Sequence, residues 1–284
     1  MGVRDVVTTL RAFVRRYEPG QVGLYAAALA PPLVCAGAAP VLAADMTARE
    51  VTAAFYTAKL GAPVDLSGKD LSFLDLAGLD FKGAVMSGAN LYGVDLSTAN
   101  LRGSQLAGAR LDRANLLRTD FSGANLENAS MMRPSVYTTL ETNGRDAPKF
   151  AGANLRFVRL TAMMDGADFR GADLTGARMG PHEPRADISS MPSSLLRGCD
   201  FSGAALTGAD LMWAKLRYSK FVGADVRRVN FSGADLAMAD FSGADFAGAD
   251  LTGADLDGAI LLGARGLDTV KGLDLALNLD RARR

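Results

Sequence analysis

The sequence is built on a five-residue repeat. Residues 239–259, ADFSGADFAGADLTGADLDGA, contain the same five-residue unit four times. We call this repeat unit a word. On an α-helix a step of five residues rotates a side chain by about 140°, so the large residues would be spread around the whole circumference. In a straight strand an odd step sends successive large residues to opposite faces. Because neither element can bury this pattern, the chain must turn a corner every five residues and return each large side chain to one axis.

The large apolar residue of the word recurs without a slip over most of the chain. Every fifth residue is large and apolar from Leu66 to Val136 and again from Leu196 to Leu261. If the five residues between two corners form one side, four sides close a square coil of about twenty residues. Successive coils then stack about 4.8 Å apart through backbone hydrogen bonds. The pattern therefore predicts an all-β solenoid in which residues twenty apart stack. One consequence is a ladder of rings formed by Phe201, Phe221 and Phe241.

The remaining positions of the word have their own roles. Alanine two places before the large residue also points inward and must be small, whereas Asp or Asn, Ser, Thr or Arg, and Gly point outward or form the corner. These words resemble the A(D/N)LxG-like units of the pentapeptide-repeat proteins, over roughly residues 64–263. The resemblance implies a right-handed quadrilateral β-helix, here over residues 63–265 and with about nine coils at the strand spacing.

The ends of such a stack need covers, because they expose unpaired strand edges. Residues 44–62 are predicted to form an N-terminal capping helix. Thr47 and Glu50 make a capping box, and Val51, Phe55 and Ala58 share one face.

Residues 266–284 are expected to form a C-terminal capping segment, for which two alternatives remain open. An edge strand would explain the alternation of Leu273, Leu275, Leu277 and Leu279. A helix stripe would explain the spacing of Leu267, Val270, Leu273 and Leu277. Either could cap the stack or pair with a second copy of the chain, giving a homodimer through a terminal coil.

The repeat is interrupted at a few places. Residues 137–149 fit no word and predict a protruding loop, whose part Thr139–Ala147, with Tyr137 beside it, is a second candidate surface. The sequences GPHEPR and SSMPSS interrupt the words again before Leu196, and the step from Leu160 to Met164 is one residue short.

Residues 1–43 differ from the rest of the chain and are typical of a signal peptide. An apolar run over residues 22–45 follows four arginines, namely Arg4, Arg11, Arg15 and Arg16. Val41 and Ala43 precede the expected cleavage site. The pattern predicts a periplasmic protein with no stable membrane insertion after cleavage. A single membrane anchor is disfavoured because Pro31 and Pro32 divide a stretch barely long enough to span a bilayer; without a functional signal the protein would be cytoplasmic.

Catalytic and metal sites find little support. His182 is the sole histidine, which excludes a His-rich metal site or a Cys–His pair. Cys199 stands where the word has a small residue, which favours a buried thiol over a reactive one. Consecutive words carry aspartates that could hold Ca²⁺ but are better interpreted as outward residues that bond corner amides: Asp235, Asp240, Asp245, Asp250 and Asp255.

Methionine thioethers are Cu(I) ligands, so the methionines are a further candidate in an exported protein. The core positions of the repeat hold Met86, Met131, Met164 and Met179. Exposure is predicted for Met132, Met163, Met191 and Met212. Without accompanying histidines the methionines are interpreted as core filler, and no cofactor or metal is expected.

In one stretch, large side chains replace the small residues that usually occupy the outward positions of the repeat. In LMWAKLRYSKFVGADVRRVNF, residues 211–231, aromatic and basic side chains occupy outward positions, a composition typical of binding hot spots. The predicted binding residues are Met212, Trp213, Lys215, Arg217, Tyr218, Lys220, Arg227 and Arg228. The alternative is that the basic residues only offset neighbouring aspartates and that Trp213 lies under a loop.

The charges balance, with 31 basic and 31 acidic residues, so no global field favours nucleic acid or an anionic membrane. No nucleophile–base pair is visible. The predicted function is an exported, non-enzymatic scaffold or protein-interaction module that displays side chains in fixed rows to an unidentified protein partner. The resemblance implies an alternative, because some cytoplasmic pentapeptide-repeat proteins mimic DNA and bind the topoisomerase DNA gyrase. The balanced charge, the basic and aromatic stretch and the signal-like start disfavour it.

Overall fold

The computed structural model describes residues 44–58, 62–81, 83–136, 144–180 and 193–284. The chain divides into two compact units, Met1–Leu42 and Ala43–Arg284, and every described residue belongs to the second. The predicted signal peptide, His182, Met191 and most of the Thr139–Ala147 loop, with Tyr137, lie outside the described residues. Within those residues no helix is long and apolar enough to cross a bilayer.

Four columns of parallel backbone bridges define four sides of a coil. Side 1 begins at Asp65, side 2 at Asp70, side 3 at Asp75 and side 4 at Asp80. In regular coils each bridge residue pairs with the residue twenty positions on, as Asp80 does with Asn100. On side 4 the column passes through ten coils, at Asp80, Asn100, Asp120, Lys149, Asp168, Asp200, Lys220, Asp240, Ile260 and Arg283. The five-residue word is therefore one side of a stacked, four-sided coil.

The interior of the stack is filled as the word predicts. The large residues are buried, with no exposed area at Leu91 or Leu211, and so are the alanines two places earlier, such as Ala84. At the alanine position of four described words a hydroxyl residue replaces alanine, namely Ser104, Thr119, Ser194 and Ser219, and three of the four hydroxyls donate to a backbone carbonyl. Thr119 Oγ1 donates to the carbonyl of Leu96 at 2.8 Å. Most inward polar groups of this kind are thus satisfied by backbone rather than left unpaired.

A column of phenylalanine rings runs through the middle of side 4. The six rings belong to Phe121, Phe150, Phe169, Phe201, Phe221 and Phe241. Successive centroids are 4.6 to 5.2 Å apart and successive planes lie within 8° of parallel. This spacing is that of the stacked strands, about 4.8 Å. The predicted ladder is confirmed.

Insertions change the pairing interval and leave the columns of sides 1, 2 and 4 continuous, whereas on side 3 no bridge joins Ser135 to Met163 in the described part of the chain. Asp120 pairs with Lys149 across the loop after Val136, and Asp168 pairs with Asp200 across the segment that follows Gly180. The coil between these insertions is one residue short, so that Lys149 pairs with Asp168.

The short coil and the coil before it each contain one of the two strands longer than a single bridge in the described residues. These are β1, Ser130–Met132, and β2, Arg159–Thr161, which pair in parallel with Met131 opposite Leu160. The missing residue lies directly after β2, in the four-residue step from Leu160 to Met164.

The end of the first insertion packs back onto the coils. Arg118 donates its backbone N–H to the carbonyl of Asp146 at 2.8 Å, and its guanidinium pairs with the buried carboxylate of Asp146 at 2.7 Å. Gly144 lies against Gly166 so closely that a Cβ added to Gly166 would be 2.6 Å from the Cα of Gly144.

The N-terminal helix, α1, spans Ala48–Thr57. The capping box is present, because Thr47 Oγ1 accepts from the Glu50 N–H at 3.2 Å and Glu50 Oε2 accepts from the Thr47 N–H at 2.8 Å. Val51 and Phe55 are buried, and Phe55 makes an edge contact with Phe81 at 5.3 Å between centroids. The prediction that Ala58 shares this face is wrong, since Ala58 leaves the helical conformation and is exposed.

The C-terminal segment is neither a continuous helix nor an edge strand. It forms three short 3-10 turns, Leu267–Thr269, Leu273–Leu275 and Leu279–Arg281. Each turn follows a residue in the left-handed conformation, namely Gly266, Gly272 or Asn278. The sequence separation between bridged residues grows by one residue from each side to the next, through the pairs Asp245–Arg265, Asp250–Lys271, Asp255–Leu277 and Ile260–Arg283. The segment is thus a last coil with six-residue sides, and its leucines at the start of each turn lie half-buried on the core.

Candidate functional site

The predicted binding residues follow one turn of the chain around the coil and do not form a single surface. Met212 and Trp213 lie at the end of side 2, followed by Lys215, Arg217 and Tyr218 on side 3. Lys220 lies on side 4, and side 1, opposite side 3, carries Arg227 and Arg228. The structure therefore brings together the first five, which we call the Trp213 surface: Met212, Trp213, Lys215, Arg217 and Tyr218.

The two aromatic residues of the Trp213 surface stand at corners that the repeat normally gives to glycine. Trp213 and Tyr218 have φ of 62° and 63°, in the left-handed region, at a cost of about 1–2 kcal/mol each. Trp213 is 38% exposed and lies over Gly233, whose added Cβ would be 3.4 Å from the indole ring. Tyr218 is 58% exposed, and the Arg217 guanidinium lies 5.3 Å from the centre of its ring. Large side chains are thus held outward at strained corners.

Arg227 forms an ion pair with Asp225, which belongs to the same five-residue unit. Its Nε and Nη2 donate to the two oxygens of Asp225 at 2.8 and 2.7 Å. These hydrogen bonds, with one from Thr207 Oγ1, lower the pKa of Asp225 to about 2. The charge of Arg227 is therefore offset locally, as the alternative interpretation of the basic residues proposes for this position.

The aspartates of the last regular words bond to the corners. In each case Oδ1 accepts from the N–H two residues on, as with Asp240 and Ser242 at 2.9 Å and Asp250 and Thr252 at 2.9 Å. This is the Asx turn, which fixes the corner that follows. The structure supports the interpretation of these residues as corner-bonding side chains. The described residues contain no group of three or more His, Cys, Asp or Glu side chains arranged to hold a metal ion.

The sulfur groups behave as core residues. Cys199 is fully buried, its Sγ donates to the carbonyl of Met164 at 3.2 Å, and burial raises the pKa of its thiol, so the predicted buried cysteine is confirmed. The four methionines at core positions have no exposed area. Of those predicted to be exposed, Met163 is 49% exposed, while Met132 and Met212 are half-buried.

A second surface, which the sequence analysis missed, lies on side 2. Arg159 and Arg178 are neighbours in the bridge column, and Arg113 and Arg133 occupy successive corners between sides 2 and 3 with φ of 58° and 53°. All four are exposed, and no ion pair among the described residues involves them. We call these four residues the arginine surface. Arg110 precedes it in the same column but pairs with Asp112 at 2.9 Å and lies over the Tyr92 ring.

A cavity of about 490 Å³ opens beside the arginine surface. It is lined by Arg133, Pro134, Thr161, Ala162, Met163 and Ser193. The cavity lies at the corner that the four-residue step shortens, so we call it the corner notch. Its lining is mainly apolar, with one guanidinium at the rim.

Comparisons with known proteins agree with the geometry. The model of the pentapeptide repeats matches in eight copies, over residues 65–103, 99–133, 149–180, 194–233 and 227–263. Among solved structures, HetL, involved in heterocyst differentiation regulation in the cyanobacterium Nostoc sp. strain PCC 7120, is 26% identical, with a TM-score of 0.47 over 84% of this chain and 94% of HetL. Rfr23 of the cyanobacterium Cyanothece 51142 is 23% identical, with a TM-score of 0.32 over 43% of this chain and 90% of Rfr23.

QnrB1, a plasmid-mediated fluoroquinolone resistance protein, is 17% identical, with a TM-score of 0.32 over 76% of this chain and 90% of QnrB1. The comparison with curated proteins gives no significant match. The matched repeats cover more than half of the sequence, and the four-sided coil is the unit that they encode. The chain belongs to the pentapeptide-repeat family.

Proposed function

We propose that the protein is a non-enzymatic interaction module that binds a protein partner through the Trp213 surface. The observation that carries the proposal is that Trp213 and Tyr218 stay exposed at corners where glycine would cost less backbone strain. A stacked coil holds these side chains in place before binding, so a partner loses little conformational entropy in ordering them. Tryptophan, tyrosine and arginine are also the residues that most often dominate binding energy at interfaces.

The double variant Trp213→Gly/Tyr218→Gly tests this proposal. It removes both rings and restores the residue that the repeat prefers at these corners, so the fold should be retained. We expect affinity for the partner to fall at least tenfold, as for loss of a hot spot. The partner is first captured from the native compartment with the wild-type chain, then purified and titrated against each variant.

Phe73→Gly is the matched control, because Phe73 is an exposed aromatic residue at the same kind of corner in the first coil, with φ of 60°. It should leave the affinity unchanged. Equal affinity of the wild type and the double variant would contradict the role of the Trp213 surface.

Export to the periplasm is part of the proposal and rests on the sequence pattern of residues 1–43. If the signal is cleaved as expected, mass spectrometry of the protein from its native source finds Ala44 at the N-terminus. A mature chain that begins at Met1 would favour the cytoplasmic alternative.

DNA mimicry toward gyrase is a second candidate, favoured by one observation. Residues 230–263 carry six aspartates on all four sides and no lysine or arginine. In the same capture experiment this alternative would be recognised by gyrase subunits whose retention does not depend on Trp213 and Tyr218. Pairing of two chains through the last coil also remains a proposal, supported by the exposure of Leu275 and Leu277 there, 60% and 56%.

A further inference from the structure

We propose that the arginine surface and the corner notch together form a docking site for an acidic protein segment that carries one large apolar side chain. This site adds a second surface and a partner chemistry to the proposed function. It uses none of the residues of the Trp213 surface, so either could bind without the other.

The notch follows from the count of residues at one corner. In regular coils the corner between sides 2 and 3 is filled by the residue two places after the large one, as by Arg133 after Met131. In the coil of Leu160 the step to Met164 has four residues, so this corner lacks one residue. The coil below keeps its corner at Arg133, the corner of the coil above lies outside the described residues, and the cavity of about 490 Å³ opens at this place. A void of this size accommodates a leucine, methionine or phenylalanine side chain.

The lining of the notch suits such a side chain. Ala162 is 4% exposed and Pro134 is buried, so they form its floor. Met163, at 49% exposure, forms an open wall. In most words the position of Met163 holds Asp or Asn, as with Asp235 or Asn115, so an exposed thioether here departs from the repeat.

The exposed charged side chains at the rim of the notch and next to it on the adjoining side are arginines. Arg133 lies at its rim, and Arg159 and Arg178 lie on the adjoining side one coil apart, about 4.8 Å along the axis. Two described carboxylates lie near these arginines on this side. Asp112 already accepts hydrogen bonds from Arg110 and from the Met132 N–H. Asp210, next to Arg178 in the column, accepts from the Met212 N–H and from Asn230 Nδ2. Guanidinium groups without a carboxylate of their own are suited to bind carboxylates in the two-bond geometry that arginine prefers.

The dimensions favour a peptide over a nucleic acid. From the coil of Arg113 to the coil of Arg178 the arginine surface spans three coil spacings, about 14 Å, which corresponds to four or five residues of extended chain. None of the six residues that line the notch is aromatic, whereas sequence-tolerant binding of single strands relies on aromatic side chains that stack with bases.

Fluorescence anisotropy with the full chain tests the proposal. The probe is a fluorescein-labelled peptide in which two glutamates stand on each side of one leucine. Companion peptides carry alanine in place of leucine or glutamine in place of glutamate. We expect the leucine–glutamate peptide to bind most tightly, and its affinity to fall at least tenfold in Arg133→Gln/Arg178→Gln and with rising salt.

Two further variants distinguish binding at this site from a general effect of the protein's net charge. Arg102→Gln removes an exposed arginine on side 4, opposite side 2, where Arg102 pairs with Asp120 at 3.3 Å, and should leave binding unchanged. Met163→Asn restores a residue type that the repeat accepts and should abolish the preference for leucine over alanine. Circular dichroism confirms that each variant keeps the fold.

Three results would overturn the proposal. One is equal loss of affinity in Arg102→Gln and in the double arginine variant, which would reduce the effect to net charge. Another is tighter binding of an oligothymidine probe with the same dependence on Arg133 and Arg178, which would make the surface a nucleic-acid site. The third is no peptide binding together with self-association that those arginines control, which would make a second copy the occupant.

Discussion

Phe221→Ala is expected to lower the free energy of unfolding by about 3–5 kcal/mol. Phe221 has no exposed area, and its ring stacks between Phe201 at 4.8 Å and Phe241 at 4.6 Å. Phe231 also meets it edge-on at 5.9 Å. Alanine would leave a cavity inside the column that neighbouring coils cannot fill, because their spacing is fixed by backbone hydrogen bonds.

The matched control is Phe221→Leu, since Leu261 and Leu101 hold the same position of side 4 in other coils. It should cost about 1 kcal/mol or less. Guanidinium unfolding followed by circular dichroism and by the fluorescence of Trp213, the sole tryptophan, measures both variants. Similar midpoints for the alanine and leucine variants would show that the ring column contributes little.

Gly166→Ala is expected to destabilise the protein by about 2–4 kcal/mol, through two separate effects. The residue has φ of 79°, which costs a side chain about 1 kcal/mol. The added Cβ would also meet the backbone of Gly144 at 2.6 Å, and overpacking of this kind costs about 1–3 kcal/mol more. The returning end of the first insertion would have to move away from the coil.

Gly171→Ala isolates the first effect, because Gly171 has φ of 62° and no atom within 4 Å of an added Cβ. Its cost should be about 1 kcal/mol. The difference between the two variants in the same unfolding experiment measures the contact with Gly144. If both variants unfold at the same denaturant concentration, the insertion does not pack on Gly166 in solution.

The coil could be predicted from the sequence because its information is local. Each word specifies one side, and the interval of twenty residues follows from closing four sides, so the partners of Phe221 could be named in advance. The arginine surface could not be found in this way. Arg159 and Arg178 fall in the column of Ser130 only when the insertion before Lys149 and the shortened coil are both counted, and a fixed interval of twenty residues does not align them.

The C-terminal coil was missed for a different reason. Gly266, Gly272 and Asn278 recur every six residues, each followed by Leu and Asp, which is a visible signal. The leucine spacing instead fits a strand with a period of two residues or a helix with a period of 3.6 residues. Each of these periods accounts for only some of the leucines. The left-handed residue before each 3-10 turn explains why the correct period is six.

The two ends of the stack differ, which bears on whether molecules can add head to tail. At the C-terminal end the last coil pairs on all four sides with a coil of five-residue sides, because a 3-10 turn accommodates the sixth residue of each longer side. The opposite end of the stack is covered by α1, whose Val51 and Phe55 are buried in the core. A second molecule that adds head to tail would have to displace this helix, which disfavours growth into fibres.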